Sequence, residues 1–322
     1  MWVFVMSEIK VLYCFDSKFW RMVAVSMKSL LATANENTSV KFYCMVAPNT
    51  DGREQIETII KSHRGGTGLV WREIKAEENP FQNYEYSRWS PVIFYRCIAH
   101  RFFTDIDRIL YLDSDILVCR DLTELFDTDL NDCVLGGVRD MAPVNAKYHP
   151  QGIFVRNFAE KYLNNGPYIN SGVLLLNLEK MREYENLLFE TKIPLYYPDQ
   201  DLINAAFTGK IKILPLKYNL APGVLVPKIF TPEEAHEAMF GGHVIIHCYS
   251  VKPYDYEHAP DQLYEMFSKH AKNIGMEPEK FMEWDREYSQ QRTRDTFIPG
   301  IKIRGDNTIV FQYENKDIKI IL

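Results

Sequence analysis

The sequence predicts an α/β protein with a mostly parallel central sheet flanked by helices and a small helical and β appendage at its C-terminal end. Three observations support that class. Short apolar runs at 8–15, 40–46 and 69–74 alternate with stretches whose apolar residues recur at three and four positions, and βαβαβ units build parallel sheets through right-handed crossovers. The later runs at 109–112, 134–138 and 168–178 are apolar without alternation, as strands buried on both faces are. The chain of 322 residues is 46% hydrophobic and 25% charged, a soluble globular balance with room for one large domain and an appendage.

Composition also excludes partners. A net charge of -6 gives no bulk attraction to nucleic acid or an anionic membrane. No apolar run reaches the roughly 20 residues a membrane span requires. Met1 to Met6 is apolar but too short for a signal peptide and lacks a basic start, so it reads as an extension ahead of a natural beginning at Met6-Ser7. Six cysteines, at 14, 44, 97, 119, 133 and 248, show no C-x-x-C spacing. They read as reduced core residues, which points to the cytosol.

In order, the strand at 8–15 ends in Cys14-Phe15-Asp16. It is followed by a helix through Trp20, Val23, Ala24, Met27, Leu30 and Leu31, which Asp16 or Ser17 is placed to cap. The run Gly65-Gly66-Thr67-Gly68 precedes a strand and lacks a following Lys, so it is a turn and not a phosphate loop. The first strand is not followed by G-x-G-x-x-G, which argues against a dinucleotide-binding domain. A helix over 90–103 carries Arg96 among apolar residues, either as a snorkelling side chain or as a cation aimed at an acidic site.

That acidic site is Asp113-Ser114-Asp115. Three other Asp-x-Asp triplets, at 105, 127 and 199, show that the spacing alone is uninformative. Only this one is flanked by buried-strand sequence on both sides. At a strand end the two-residue period would put both carboxylates on one side, and a divalent metal between them would offset their repulsion.

Further on, the strand at 134–138 ends at Arg139-Asp140, and residues 141–166 read as a polar loop over the site. The strand from Tyr168 is entered through Asn170-Ser171-Gly172. Asp199-Gln200-Asp201 opens a helix, with acidic residues that either cap it or face a ligand. His247 ends an apolar strand, and Lys252 before Pro253 suggests a phosphate contact. Residues 259–298 read as charged helices and 301–322 as short strands.

As an ordered series, Cys14-Phe15-Asp16, Tyr95-Arg96, Leu110 to Asp115, Tyr168 to Leu175, Tyr197 to Asn204 and His247 to Tyr254 resemble family 8 of the retaining nucleotide-sugar glycosyltransferases. That group includes bacterial lipopolysaccharide galactosyl- and glucosyltransferases and glycogenin. The resemblance covers 8–255 and implies a GT-A catalytic domain over 1–258, with 259–322 as the appendage. It implies that Asp113, Asp115 and His247 hold Mn2+, or Mg2+, against the diphosphate of a UDP-sugar. It places Cys14, Phe15 and Asp16 at the base and ribose, and Ser114 and Lys252 at the nucleotide. Arg96, Asp140, Asn170, Asp199 and Gln200 would surround the donor sugar.

The implied activity moves glucose or galactose from the UDP-sugar to a saccharide, lipid-linked or protein-linked glycan acceptor, in cell-surface polysaccharide or lipopolysaccharide biosynthesis. Residues 75–92, with Trp89, and 141–166 would receive the acceptor. The protein is expected in the cytoplasm, or peripherally attached at the inner face of the membrane. The chain departs from the family pattern after His247: Lys252 follows at five positions where six are usual, Ser250 stands for a Gly and Tyr254 for a Trp. Two other readings are a sugar-1-phosphate nucleotidyltransferase and a non-catalytic nucleotide-sugar binder.

Overall fold

The computed structural model describes residues 7–63, 67–82, 90–141, 150–222, 230–238 and 242–292, and beyond them the strands at 301–304, 308–313 and 316–321. Met1 to Met6, Gly65, Gly66 and Trp89 lie outside the described residues. The first half alternates as expected: β1 (Ser7–Phe15), α1 (Trp20–Thr33), β2 (Thr38–Val46), α2 (Arg53–Lys61) and β3 (Thr67–Glu73). Then come α3 (Tyr95–Phe102), β4 (Arg108–Leu112), β5 (Ile116–Val118), α4 (Thr123–Phe126) and β6 (Leu135–Arg139). They are followed by α5 (Pro150–Tyr162), β7 (Ile169–Asn177), α6 (Leu178–Glu183), α7 (Glu185–Glu190) and α8 (Pro198–Ala206). The chain continues through β8 (Ile211–Leu214), α9 (Pro232–Glu237), β9 (Ile245–His247), α10 (Asp261–Lys272) and α11 (Pro278–Arg292). It ends in β10 (Ile301–Arg304), β11 (Thr308–Tyr313) and β12 (Lys316–Ile321).

Seven strands form the central sheet in the order β3-β2-β1-β4-β7-β6-β8. The pairs β1 with β2, β2 with β3, β1 with β4, and β6 with β8 are parallel, while β7 runs antiparallel to β4 and to β6. One strand is therefore reversed in a mostly parallel sheet. That reversal brings the beginning of β7, with Asn170 to Gly172, to the edge where β4 delivers Asp113.

Both faces of the sheet are covered, which is why its strands lack polar alternation. Val11, Tyr13 and Phe15 of β1 pack with Val23, Met27 and Leu30 of α1 on one face. Leu12 packs with Cys97 and Ile98 of α3 on the other. Each such side chain contributes roughly 1.5–3 kcal/mol of burial. Neither Asp16 nor Ser17 caps α1, contrary to expectation. Asp16 accepts from Lys18 N at 3.0 Å within its own turn, and Ser17 Oγ accepts from Asp51 N at 2.9 Å.

The expected loop over 141–166 contains α5 instead. Val155 and Phe158 are buried with Leu163 and Tyr168, so an apolar stripe at helical spacing decides the local structure there. After residue 259, α10 packs on α1, with Leu263, Phe267 and Phe281 buried against Val25, Leu117 and Ile246. The last three strands form an antiparallel sheet in the order β10-β11-β12. Among the described residues no helix is long and apolar enough to cross a membrane.

Candidate active site

Asp113, Ser114 and Asp115 form a tight turn between β4 and β5, which belong to different sheets. The two aspartates therefore do not converge through alternation along one strand, as the sequence suggested. They converge because each is tied to a neighbouring strand. Asp113 N donates to Gly172 O at 2.8 Å, and Cys248 N donates to Asp115 O at 2.9 Å. The short antiparallel pair of β5 with β9 sets Ile116 opposite His247, which delivers the imidazole to the turn.

One oxygen of each aspartate and one nitrogen of His247 lie within 4.8 Å of one another. His247 Nε2 is 3.2 Å from Asp115 Oδ1 and 3.6 Å from Asp113 Oδ2. Space for the cluster depends on Gly172, where a Cβ would lie 2.1 Å from His247 Cε1 and 2.8 Å from Asp113 Oδ2. Burial opposes charge on His247, but Asp115 and Asp113 outweigh it and hold the imidazole above its ordinary pKa. Burial would raise Asp115; the facing imidazole outweighs it and holds the carboxyl below its usual range. Two carboxylate oxygens and an imidazole nitrogen around a glycine cradle fit a divalent transition ion better than a purely hard oxygen site would.

Arg96 binds this cluster to a second acidic group. Its side chain is 6% exposed, with Nη2 3.0 Å from Asp113 Oδ1 and Nη1 3.3 Å from Asp199 Oδ2. A snorkelling arginine would reach solvent; this one is enclosed. Nη1 also donates to Ser171 O at 2.8 Å and Nε to Ile93 O at 3.0 Å, while the guanidinium lies 4.1 Å from the Tyr111 ring centroid. Burial opposes the Arg96 charge, but Asp113 and Asp199 raise its pKa further. Burial lifts Asp199 above the ordinary carboxylate value even with Arg96 beside it.

The beginning of β7 and the first turn of α8 interlock next to it. Gln200 Oε1 accepts from Ser171 N at 2.9 Å and Asn170 Nδ2 at 3.2 Å, and Gln200 Nε2 donates to Asp140 Oδ2 at 2.7 Å. Ser171 Oγ donates to Asp199 Oδ2 at 2.9 Å. The two readings of the acidic helix start divide between its aspartates. Asp201, fully buried, reaches back to Tyr196 N at 2.6 Å and Tyr197 N at 2.8 Å and accepts from Tyr168 OH at 2.5 Å. Asp199 and Gln200 face Arg96, Ser171 and Asp140.

The structure thus brings together Arg96, Asp113, Asp115, Asp140, Asn170, Asp199, Gln200 and His247, with Ser114 in the turn. At the end of the first strand the side chains diverge. Phe15 is buried, its ring centroid 6.2 Å from that of Trp71, so its side chain faces the core. Cys14 is partly buried on the face with Arg96, and burial pushes its thiol well up against the pull of that cation. Lys252 is half-exposed and forms an ion pair with Asp285 of α11. Sequence reasoning missed Asn219, which is 3% exposed and lies between Asn170 and His247. It also missed Tyr111, whose hydroxyl donates to Asp113 Oδ1. A polar residue ending an apolar run, as in Tyr218-Asn219, was the only available signal.

A parallel sheet reversed at one strand, with an acidic turn at the carboxyl edge of β4, defines the GT-A class of glycosyltransferase fold. Within that class the chain belongs to glycosyl transferase family 8, whose model matches residues 10–256. A lipopolysaccharide 1,2-glucosyltransferase of Escherichia coli is 29% identical over 217 residues, covering 63% of this chain and 60% of that protein. A second Escherichia coli lipopolysaccharide 1,2-glucosyltransferase is 28% identical over 226 residues, covering 66% and 62%. The chain thus spans under two thirds of the length of either. The galactosyltransferase LgtC, solved with donor and acceptor sugar analogs, superposes with a TM-score of 0.67 at 23% identity, covering 86% of this chain and 100% of that one. The bifunctional glycosyltransferase WbbM gives a TM-score of 0.65 at 21% identity, covering 91% and 53%.

Proposed function

We propose that the protein is a metal-dependent, retaining hexosyltransferase. It would move glucose or galactose from a UDP-sugar to a saccharide or glycoconjugate acceptor, in cell-surface polysaccharide or lipopolysaccharide biosynthesis. The observation that carries the reading is the convergence of Asp113, Asp115 and His247 over Gly172, next to a buried Asp199 held by Arg96. The family and the Escherichia coli relatives support a glycosyl transfer.

Asp113, Asp115 and His247 would hold Mn2+, with Mg2+ as a weaker fit. When bound, the ion supplies neutralising charge for the diphosphate as the sugar–phosphate bond breaks. Arg96 keeps Asp199 paired and in place without competing for solvent. Asp199 and Gln200 line the donor-sugar pocket, where the Asp199 carboxylate suits the positive character of the sugar as UDP departs, while the Gln200 carbonyl oxygen is held by Ser171 N and Asn170 Nδ2. Asp140 orients Gln200 through its side-chain amide, and Asn170 supports it from the strand side. Cys14 and Asp16, with the backbone at Phe15, edge the base and ribose. Lys252 would contact the phosphates on leaving Asp285. The acceptor would approach over residues 75–92 and 141–166. The protein would work in the cytoplasm, with peripheral membrane contact where the acceptor is lipid-linked.

The test is a hydrolysis screen of UDP-glucose, UDP-galactose and their N-acetyl forms with Mn2+. The reading expects slow, EDTA-sensitive release of UDP from one hexose donor. Binding of every donor without transfer or hydrolysis would favour a non-catalytic binder, and pyrophosphate release from UTP with a sugar phosphate would favour a nucleotidyltransferase.

A further inference from the structure

The amide side chains around the site have only one consistent hydrogen-bonding assignment, and it fixes the state of His247. Backbone N–H groups can only donate, so they anchor the assignment, whereas amide and imidazole orientations must be deduced from their partners. Gly172 N lies 3.0 Å from Asn170 Oδ1, so that atom is an acceptor and the oxygen. Asn219 approaches the same oxygen at 2.9 Å and must present its Nδ2 there. Its Oδ1 is then the atom 3.0 Å from His247 Nδ1. A carbonyl oxygen only accepts, so Nδ1 carries a proton, and Nε2, which faces the Asp113 and Asp115 carboxylates, is the nitrogen that gives up its proton when a metal binds.

Asn219 is built to hold that position. It is 3% exposed, and the segment around it is fastened to β9 on both sides. Val244 N donates to Lys217 O at 2.8 Å, Leu220 N to Ile245 O at 3.1 Å, and His247 N to Leu220 O at 2.9 Å. The same logic runs the other way. Ser171 N on Gln200 Oε1, at 2.9 Å, makes that atom the oxygen and turns Nε2 toward Asp140 Oδ2 at 2.7 Å. Neighbouring backbone N–H groups of β7 thus set both the imidazole and the Gln200 amide.

We propose that Asn219 is a positioning residue that fixes the Nδ1–H tautomer of His247 and so presents Nε2 as a metal ligand, coupling the metal position to Asn170 at the donor-sugar side. This rests on the metal-dependent reading above. A ligating imidazole whose other nitrogen donates to a fixed oxygen is oriented and made more basic, and loss of such a partner costs about 10- to 100-fold in metal affinity.

The test uses the full chain with three proteins: wild type, Asn219→Asp and Asn219→Leu. Folding is checked by thermal unfolding in EDTA. Asp keeps an oxygen acceptor for Nδ1–H; Leu removes it. Two readouts are taken. One is the Nδ1–H signal of His247 in the side-chain 15N spectrum of histidine-labelled, metal-free protein, identified by its loss in His247→Gln. The other is Mn2+ affinity by electron paramagnetic resonance. Expected results are the Nδ1–H tautomer in wild type and Asn219→Asp, loss of that tautomer in Asn219→Leu, and Mn2+ affinity within a few-fold of wild type for Asp and lower by about 10- to 100-fold for Leu. A wild-type Nε2–H tautomer would overturn the proposal, as would a folded Asn219→Leu with wild-type tautomer and affinity. A wild type with the Nδ1–H tautomer that binds no Mn2+ would instead sink the metal reading, leaving the tautomer assignment supported.

Discussion

The α-carbon of Gly172 faces His247 so closely that an added Cβ would lie 2.1 Å from the ring's Cε1. The backbone of Gly172 runs within β7 and has no positive φ, so its lack of a side chain answers to space and not to conformation. Gly172→Ala is expected to push His247 or Asp113 out of the cluster. Overpacking of this kind costs about 1–3 kcal/mol, so the protein should remain folded while Mn2+ affinity falls at least tenfold. Calorimetric titration with Mn2+, alongside urea unfolding in EDTA, checks both halves.

Arg96 is the shared cation of two acids on different elements, Asp113 and Asp199. Removing one partner of a buried ion pair costs about 3–5 kcal/mol because charge is left uncompensated. Arg96→Met should therefore destabilise the metal-free protein by about that amount. Arg96→Lys should recover only part of it, since one ammonium cannot repeat the forked geometry. Adding Asp199→Asn to Arg96→Met should restore stability in part. A double variant no more stable than Arg96→Met, measured by urea unfolding, would show that Asp199 is not the stranded charge.

The fold should lose stability in mild acid through His270. It is 6% exposed, and its Nδ1 has no hydrogen-bond partner among the described residues. Burial, then the charges of Lys269 and Lys28, depress its pKa from 6.5 to about 4. The folded state thus keeps His270 neutral while the unfolded chain takes up a proton below about pH 6.5. Its contribution is fully present above that pH and is lost as pH falls toward 4, at most about 2–3 kcal/mol. Unfolding free energies between pH 4 and 7 should slope less for His270→Leu than for wild type. Equal slopes would assign the acid sensitivity elsewhere.

Much of this architecture was legible in the sequence. Strands covered on both faces read as unbroken apolar runs, and α1 and α3 showed their stripes at helical spacing. The acidic turn was found because Leu110 to Leu112 and Ile116 to Val118 flank it, and its two aspartates do meet His247. Other features depend on pairings that no local pattern records. Nothing in the 168–178 run says that β7 is reversed, although that reversal carries Asn170 to Gly172 to the site. Asp199 and Asp201 look alike in sequence; only the fold turns one to the Tyr196 and Tyr197 amides and the other to Arg96. The helix at 150–162 was hidden by its polar residues, although Val155, Phe158 and Tyr162 carry the period. Phe15, expected at the ligand, faces the core because alternation in β1 puts it on the side of Val11 and Tyr13. Asn219 acts only through partners distant in the chain, at 170 and 247.

Asp113, Asp115 and His247 would hold a metal ion that binds together with the nucleotide of a UDP-sugar. Thermal unfolding with UDP and Mn2+, separately and together, tests it most directly. The expected result is a rise in the midpoint that needs both, that EDTA abolishes, and that Asp113→Asn removes while the variant stays folded in EDTA. A UDP-induced rise of the same size in EDTA, or in Asp113→Asn, would contradict it.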